Sequence, residues 1–255
     1  MTQREQSPYD DNFYLGQRDM SRRSAEIIIP EVLNLYPVQS ACDVGCGVGA
    51  WVSVLLSCGV DAVGMDGAYV NPELLQIPKE RFVAADLRKP LPKDRQFDLA
   101  ISLEVAEHME EAYAAQFVDS LTGIAPVVLF SAAIPLQKGL GHVNEQWQQY
   151  WVGLFGHHRY VPIDYIRRKV WSDPRIPPHY AQNIVLYCRA DRLDNFPKLR
   201  SAADATCQET LSVVHPRHWE MYSRQINFDL GRDGYLSEVL RALPNVAWRA
   251  IRKRL

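Results

Sequence analysis

Residues 41–51 read ACDVGCGVGAW. Gly45, Gly47 and Gly49 stand at every second position, and Asp43 precedes the first of them by two residues. Glycine gives up more conformational entropy on ordering than any other residue, so three so close together need a reason. Small residues between a strand and a helix let the backbone come close to a ligand. The segment before the loop, SACDVG (40–45), reads as a short strand, and VSVLLSCG (52–59) reads as a helix closed at Gly59.

Further along, short apolar runs alternate with helical patterns. DAVGMD (61–66), RFVAAD (81–86), FDLAISL (97–103) and PVVLFSAA (126–133) read as strands. EEAYAAQFVDSL (110–121) carries Ala114, Phe117, Val118 and Leu121 at helical spacing, and an aromatic-rich helix follows GHVNEQW. YVPIDYIRRKVW (160–171) and AQNIVLYCR (181–189) read as two last strands. Strands alternating with helices predict an α/β fold with a mainly parallel sheet covered on both faces. From about Arg192 the pattern weakens. The expected organisation is one domain over 1–190, with a leading helix near its N-terminus, and an extension over 191–255, first loop and then helix.

Open parallel sheets bind ligands at the carboxyl ends of their strands, near the switch in strand order. Asp66 ends the second strand, where a carboxylate can accept hydrogen bonds from both hydroxyls of a ribose. Gly45, Gly47 and Ala50 also satisfy the looser dinucleotide pattern, so an NAD-binding oxidoreductase stays open at this point. Three features weigh against it. Asp43 at the loop entrance repels a pyrophosphate but tolerates an ammonium group. Asp86 closes the third strand and could accept from an adenine amine, with Leu87 supplying a backbone N–H. LEVAEHME carries carboxylates and a histidine to the same rim.

DVGCGVG, Asp66 in GMDG, AADL and FDLAISLEVAEHM occur in the order and spacing of the class I S-adenosylmethionine-dependent methyltransferases, which the chain resembles over roughly residues 10–190. The resemblance implies a Rossmann-like seven-stranded sheet whose last strand is antiparallel, with helices on both faces. It implies S-adenosylmethionine as methyl donor, leaving as S-adenosylhomocysteine. Its cofactor-binding residues would be Asp43, Gly45, Gly47, Gly49, Asp66, Asp86, Leu87 and Leu103. NFYLGQRDMSRRSAEIIIPEVL resembles the helix that lids the cofactor. YAQNIVLYCR and VHPRHWE resemble segments of bacterial surface-polysaccharide and secondary-metabolite methyltransferases. A cofactor-binding scaffold without catalysis is the remaining alternative.

Methyl transfer is an in-line displacement that depends on orientation, and an alcohol acceptor must also lose a proton to a general base. Glu104 and His108 follow the fourth strand, and His142 lies in the loop after the fifth. These three are the expected catalytic residues, with His142 as the base. Asn144, Trp147 and Trp151 follow and would bind the acceptor, the aromatics otherwise serving only to pack a helix on the sheet. Polar groups with aromatic faces suit O-methylation of a hydroxyl on a sugar or a related, even glycosylated, small molecule. N-methylation of a small amine and O-methylation of a quinone-like precursor are the alternatives. The reaction requires no metal. Glu104, Glu107 and His108 look like a metal cluster, but the resemblance makes them rim residues, so no metal is expected.

The bulk numbers agree with a globular enzyme. The 255 residues are 47% hydrophobic with a formal net charge of −2, which gives no basic surplus for binding nucleic acid. Five cysteines without a CxxC pair predict neither a disulfide framework nor a zinc site, but reduced thiols in a cytoplasmic protein. MTQREQSPYDDNFY lacks a signal-type apolar core. In YLSEVLRALPNVAWRAIRKRL (235–255), Leu236, Val239, Leu240 and Leu243 form a helical stripe; Trp248, Ile251 and Leu255 resume it among basic residues. Such an end could contact the inner face of an anionic membrane, or pack on the domain or a partner subunit.

Overall fold

The structure is a computed structural model that describes the backbone of residues 11–229 and the side chains of residues 19–224. Helix α1 (Asp11–Leu35) leads into strand β1 (Ser40–Val44), helix α2 (Ala50–Ser57), and strands β2 (Asp61–Asp66), β3 (Phe82–Ala84) and β4 (Leu99–Leu103). Helix α3 (Glu111–Ile124), strand β5 (Val127–Ser131), helix α4 (Gln148–His157) and strand β6 (Tyr160–Ile163) follow. Short helices α5 (Ile166–Val170) and α6 (Pro178–Asn183) precede β7 (Val185–Arg189), and α7 (Pro197–Asp204) and α8 (Pro216–Asp229) come last.

The seven strands form one sheet in the order β3-β2-β1-β4-β5-β7-β6. β7 runs antiparallel to both β5 and β6, and the other pairings are parallel. This is the expected seven-stranded sheet with its last strand reversed. A side chain alternates faces at each residue of a strand. Val127 and Leu129 of β5 therefore join one core with α1 and α2, while Val128 and Phe130 join another with α3 and α4. Strands apolar at every position need cover on both faces, and that requirement makes the three-layer arrangement.

Gly59 ends α2 as the sequence suggests: its φ is +80°, and the Val60 N–H turns back to the Leu55 carbonyl at 3.0 Å. The segment 160–171 departs from its expectation, because the strand stops at Ile163. Arg167 and Asp164 are both buried and form a two-pronged ion pair, Nε to Oδ1 at 2.8 Å and Nη2 to Oδ2 at 2.7 Å. Residues three apart share a face only on a helical turn; in a strand they point to opposite sides. The Nη1 group reaches the carbonyls of Leu211 and Gln182, so four of the five guanidinium hydrogens are paired inside the fold. Likewise the start of 181–189 belongs to α6, which Pro178 opens at a first-turn position.

Leu193 and Leu199 are part of the core shared by α1 and α2, so residues beyond the expected boundary at 190 belong with the sheet. The chain divides into compact units at Met1–Val213 and Val214–Leu255. α8 is the described part of the second; the basic tail 235–255 lies outside the described residues. No helix among the described residues is long and apolar enough to cross a membrane.

Candidate active site

A cleft of about 1030 Å³ opens at the carboxyl ends of β1 and β4, where the strand order reverses. Its first wall is the glycine loop. Gly45 has φ +89°, and a Cβ there would stand 2.3 Å from Val105 Cγ2, so only glycine fits. Asp66, ending β2, holds the loop shut. Its Oδ2 accepts the Gly47 N–H at 2.7 Å, and Oδ1 accepts from the Gly67 N–H at 2.6 Å and the Tyr69 hydroxyl at 2.7 Å. Burial nevertheless raises its pKa.

Asp43 lies beneath the same loop. It is buried, and its Oδ2 has no hydrogen-bond partner. Burial, with the Asp66 charge beside it, pushes its carboxyl up to about 8. A buried carboxylate with an open oxygen favours a cationic ligand group. Asp86, two residues past the end of β3, differs. Its carboxylate is held by Arg88 at 3.0 Å, and that guanidinium keeps its pKa low.

The opposite wall follows β4 and β5. Glu104 has a positive φ of 56°, an uncommon conformation for a residue with a side chain. Its backbone N–H bonds to the Ser131 carbonyl at 3.0 Å, and its carboxylate accepts from Gln137 at 2.7 Å and Asn183 at 3.0 Å. Those contacts hold the turn that follows. The Glu107 carbonyl accepts the N–H groups of Val143 and Asn144 at 2.8 and 3.0 Å, which pins the loop after β5 over the loop after β4. The pinning brings the His108 and His142 rings edge to face, with centroids 4.8 Å apart. His142 Nδ1 is 2.9 Å from Glu145 Oε1, and its Nε2 is 4.0 Å from Glu107 Oε1. Glu107 is fully buried, and neither carboxylate oxygen has a partner. Burial, then the Glu104 charge, raises its pKa well above the carboxylate range. Burial and the His142 ring lower that of His108.

Residues 17–172 match the family model described as a methyltransferase domain. The chain belongs to the class I S-adenosylmethionine-dependent methyltransferases. S-adenosylmethionine is its cofactor. Among solved structures, magnesium protoporphyrin IX methyltransferase from Synechocystis, with bound S-adenosylhomocysteine, is 18% identical with a TM-score of 0.51. That similarity covers 71% of this chain and 90% of that one. The methyltransferase domain of a bacterial protein, CtHen1-C, is 17% identical with a TM-score of 0.50, over 66% of this chain and 98% of that one. Both likenesses are of fold. No curated protein matches this chain.

The methyltransferase cleft contains most residues picked out in the sequence. Asp43, Gly45, Gly47, Asp66, Asp86, Leu87 and Leu103 line one part; Glu104, His108 and His142 line the other. Gly49 stands behind the wall, where it caps α2 against Ile77. The three expected acceptor-binding residues do not line the cleft. Trp151 is 1% exposed and packs on Phe130 at 5.0 Å, as a core residue of α4. Trp147 precedes the helix and is exposed, and Asn144 is buried with its side-chain carbonyl bonded to Gln146 at 3.0 Å. Trp147 stands at the cap of α4 in extended backbone, so the two tryptophans share no helix face, and only Trp151 packs on the sheet.

Sequence reasoning missed Tyr69, Gln137, His179 and Tyr180, which also line the cleft. Tyr69 had a signal, since it follows GMDG by two residues. Tyr180 packs edge to face on Trp51 at 5.5 Å and meets the Ser21 hydroxyl of α1 at 3.4 Å. Gln137 and Asn183 both donate to the Glu104 carboxylate, from segments far away in sequence. Glu107, His108 and His142 place possible ligand atoms within 4.8 Å of one another.

Proposed function

We propose that this methyltransferase moves the methyl group of S-adenosylmethionine to a hydroxyl of a sugar or a related small molecule. The observation that carries the reading is His142. Its Nδ1 is committed to the Glu145 carboxylate at 2.9 Å, which orients the ring and leaves Nε2 as the proton-accepting atom of a residue that lines the cleft. His108 beside it positions the acceptor.

The donor residues fit the cofactor. Asp43 offers the open carboxylate oxygen for its ammonium group, and Asp66 offers a pair of oxygens for its ribose hydroxyls. Asp86, Leu87 and Leu103 flank the place for its adenine. When bound, the cofactor supplies an electrophilic methyl group on a sulfonium. Every other task falls to the chain. The glycine loop admits the donor closely, Glu104 shapes the turn that separates donor from acceptor, and His142 takes the hydroxyl proton as the oxygen–carbon bond forms.

With Trp147 and Trp151 off the walls, the sugar reading rests on the polar rim of Glu104, Gln137, His142 and His179. One observation favours a second reading. The unpartnered Glu107 carboxylate would suit the ammonium of a small amine, the acceptor of an N-methylation. A screen of nucleotide sugars, glycosides and small amines with labelled donor decides. Transfer to hydroxyl compounds supports the proposal; transfer to amines alone, or to none while the donor binds, overturns it.

A further inference from the structure

Four large apolar side chains stand exposed within twelve positions of the loop after β5: Leu136 at 58%, Leu140 at 58%, Val143 at 61% and Trp147 at 43%. Hydrogen bonds fix this loop. The Gln137 N–H reaches the Ile134 carbonyl and the Gln146 N–H reaches the Ala133 carbonyl, both at 3.0 Å, which closes its base. The two oxygens of Glu145 divide between its halves: Oε1 meets His142 Nδ1 and Oε2 accepts the Leu136 N–H, each at 2.9 Å. One carboxylate therefore sets both the ring at the cleft and the backbone of the first exposed leucine.

Leu136 and Lys138 have positive φ of 73° and 56°. A side chain at such an angle stores strain that glycine would relieve, yet Leu136 buries little in return. The turn that follows is tight. A Cβ at Gly139 would stand 2.2 Å from His142 Nε2, so the imidazole lies against the backbone one residue before Leu140. Leu140 lines the cleft and is exposed at the same time, so the apolar surface begins in the site itself. Size and charge select what covers it. Four side chains are far fewer than the roughly 20–30 residues per side of a stable protein interface. Positions 134–147 carry one lysine and one glutamate, without the basic excess that draws a segment to an anionic bilayer. A hydrocarbon chain attached to a molecule already held in the cleft needs neither.

We propose that the acceptor is an amphiphile, whose hydroxyl-bearing head enters the cleft at His142 and whose hydrocarbon chain lies on Leu136, Leu140, Val143 and Trp147. The head rests on the transfer to a hydroxyl proposed above; the surface for the chain stands apart from it. Exposed apolar groups beside a ligand cleft gain free energy only when something apolar covers them, and a chain tethered to the bound head is held where it can do so.

The test is calorimetry of the full chain against n-alkyl β-glucosides from methyl to octyl, below their micelle concentrations. Octyl glucoside is expected to bind at least about 30-fold more tightly than methyl glucoside, the worth of three buried CH₂ groups at about three- to fourfold each. Leu140→Ser/Val143→Ser and, separately, Leu136→Gly should cut that ratio at least about fivefold, the worth of one to two such groups. Leu136→Gly should melt no lower than the wild type, because glycine accepts the positive φ, so its loss of binding is not a loss of fold. No binding of octyl glucoside, a ratio near one in the wild type, or the full ratio kept in both variants overturns the inference. If the variants keep the ratio but no longer float with phosphatidylglycerol vesicles, the loop is a bilayer contact and the inference falls. Chain-length dependence that the variants remove, with labelled methyl reaching no hydroxyl compound, sinks the hydroxyl reading and leaves the apolar surface standing. Transfer to hydroxyl compounds with a flat chain-length series sinks this inference alone.

Discussion

The two ends of the cleft are built in different ways. The end proposed for the donor comes from the turns after β1 and β2, whose key residues, Asp43 to Asp66, lie within 24 consecutive positions. Its contacts are mostly backbone N–H groups on carboxylates, set by positive-φ glycines. The end proposed for the acceptor is assembled from the loop after β4, the loop after β5 and the end of α6. Glu104 meets Asn183 across 79 positions of sequence, and His142 reaches Glu107 only through backbone bonds between two loops. A local motif needs only its own turn to be right. A composite site needs the sheet order to be right first.

That contrast separates the expected consequences of mutation. The largest lies at the acceptor end. His142→Ala should lower kcat by roughly 100- to 10,000-fold, the usual worth of a positioned proton acceptor, while S-adenosylhomocysteine affinity stays at the wild-type value. Calorimetry and turnover on one preparation check both halves, and a matched loss of affinity would erase the distinction between the two ends.

At the donor end, Gly45→Ala should act on the fold itself. A Cβ at φ +89° costs about 1–2 kcal/mol, and its clash with Val105 adds about 1–3 kcal/mol of overpacking. Urea unfolding should show the loss, and Gly45→Ala/Val105→Ala should recover the packing part of it.

Asp43 gives the donor end a pH signature. Its carboxyl titrates at about 8 in the fold against an ordinary 3.8, so between those values the folded chain holds a proton that the unfolded chain has lost. Its contribution therefore makes stability fall as pH rises through that window. A ligand ammonium pairs with the ionised form, so binding near pH 7 should expel up to one proton. Affinity should then rise up to about tenfold per pH unit below 8. Calorimetry in two buffers of different ionisation enthalpy measures the proton, and Asp43→Asn should remove it.

The smallest effect has an informative sign. The Tyr69 hydroxyl occupies Asp66 Oδ1, an oxygen offered to the ribose. Tyr69→Phe should therefore tighten S-adenosylhomocysteine binding slightly, by about 0.5–1 kcal/mol, the net worth of one hydrogen bond. Weaker binding would make Tyr69 a cofactor contact instead of a competitor.

What could be read in advance follows the same division. The alternation of apolar runs, the glycine loop, and the carboxylates ending strands two and three are local patterns, written within single turns. They carried the sheet and the wall of the cleft that the glycine loop forms. The stretch 160–171 was misread because its Ile and Val spacing suits a strand as well as a short helix. Only the buried Arg167–Asp164 pair, with carbonyls from Gln182 and Leu211, selects the helix. Trp151 went to the core because Phe130 waits beneath α4, a fact of sheet packing that no spacing reveals.

The sequence by itself determined the fold class, the family and the glycine loop, because short runs apolar at every position, glycine conformations and strand-end carboxylates are encoded within a few residues. The tertiary structure alone decided that Glu107 is buried without a partner, that His108 and His142 meet, and that Gln137 and Asn183 hold Glu104. Those contacts join segments brought together by the strand order. Their energies depend on burial and on geometry within a few ångströms, which emerge only once the sheet is packed.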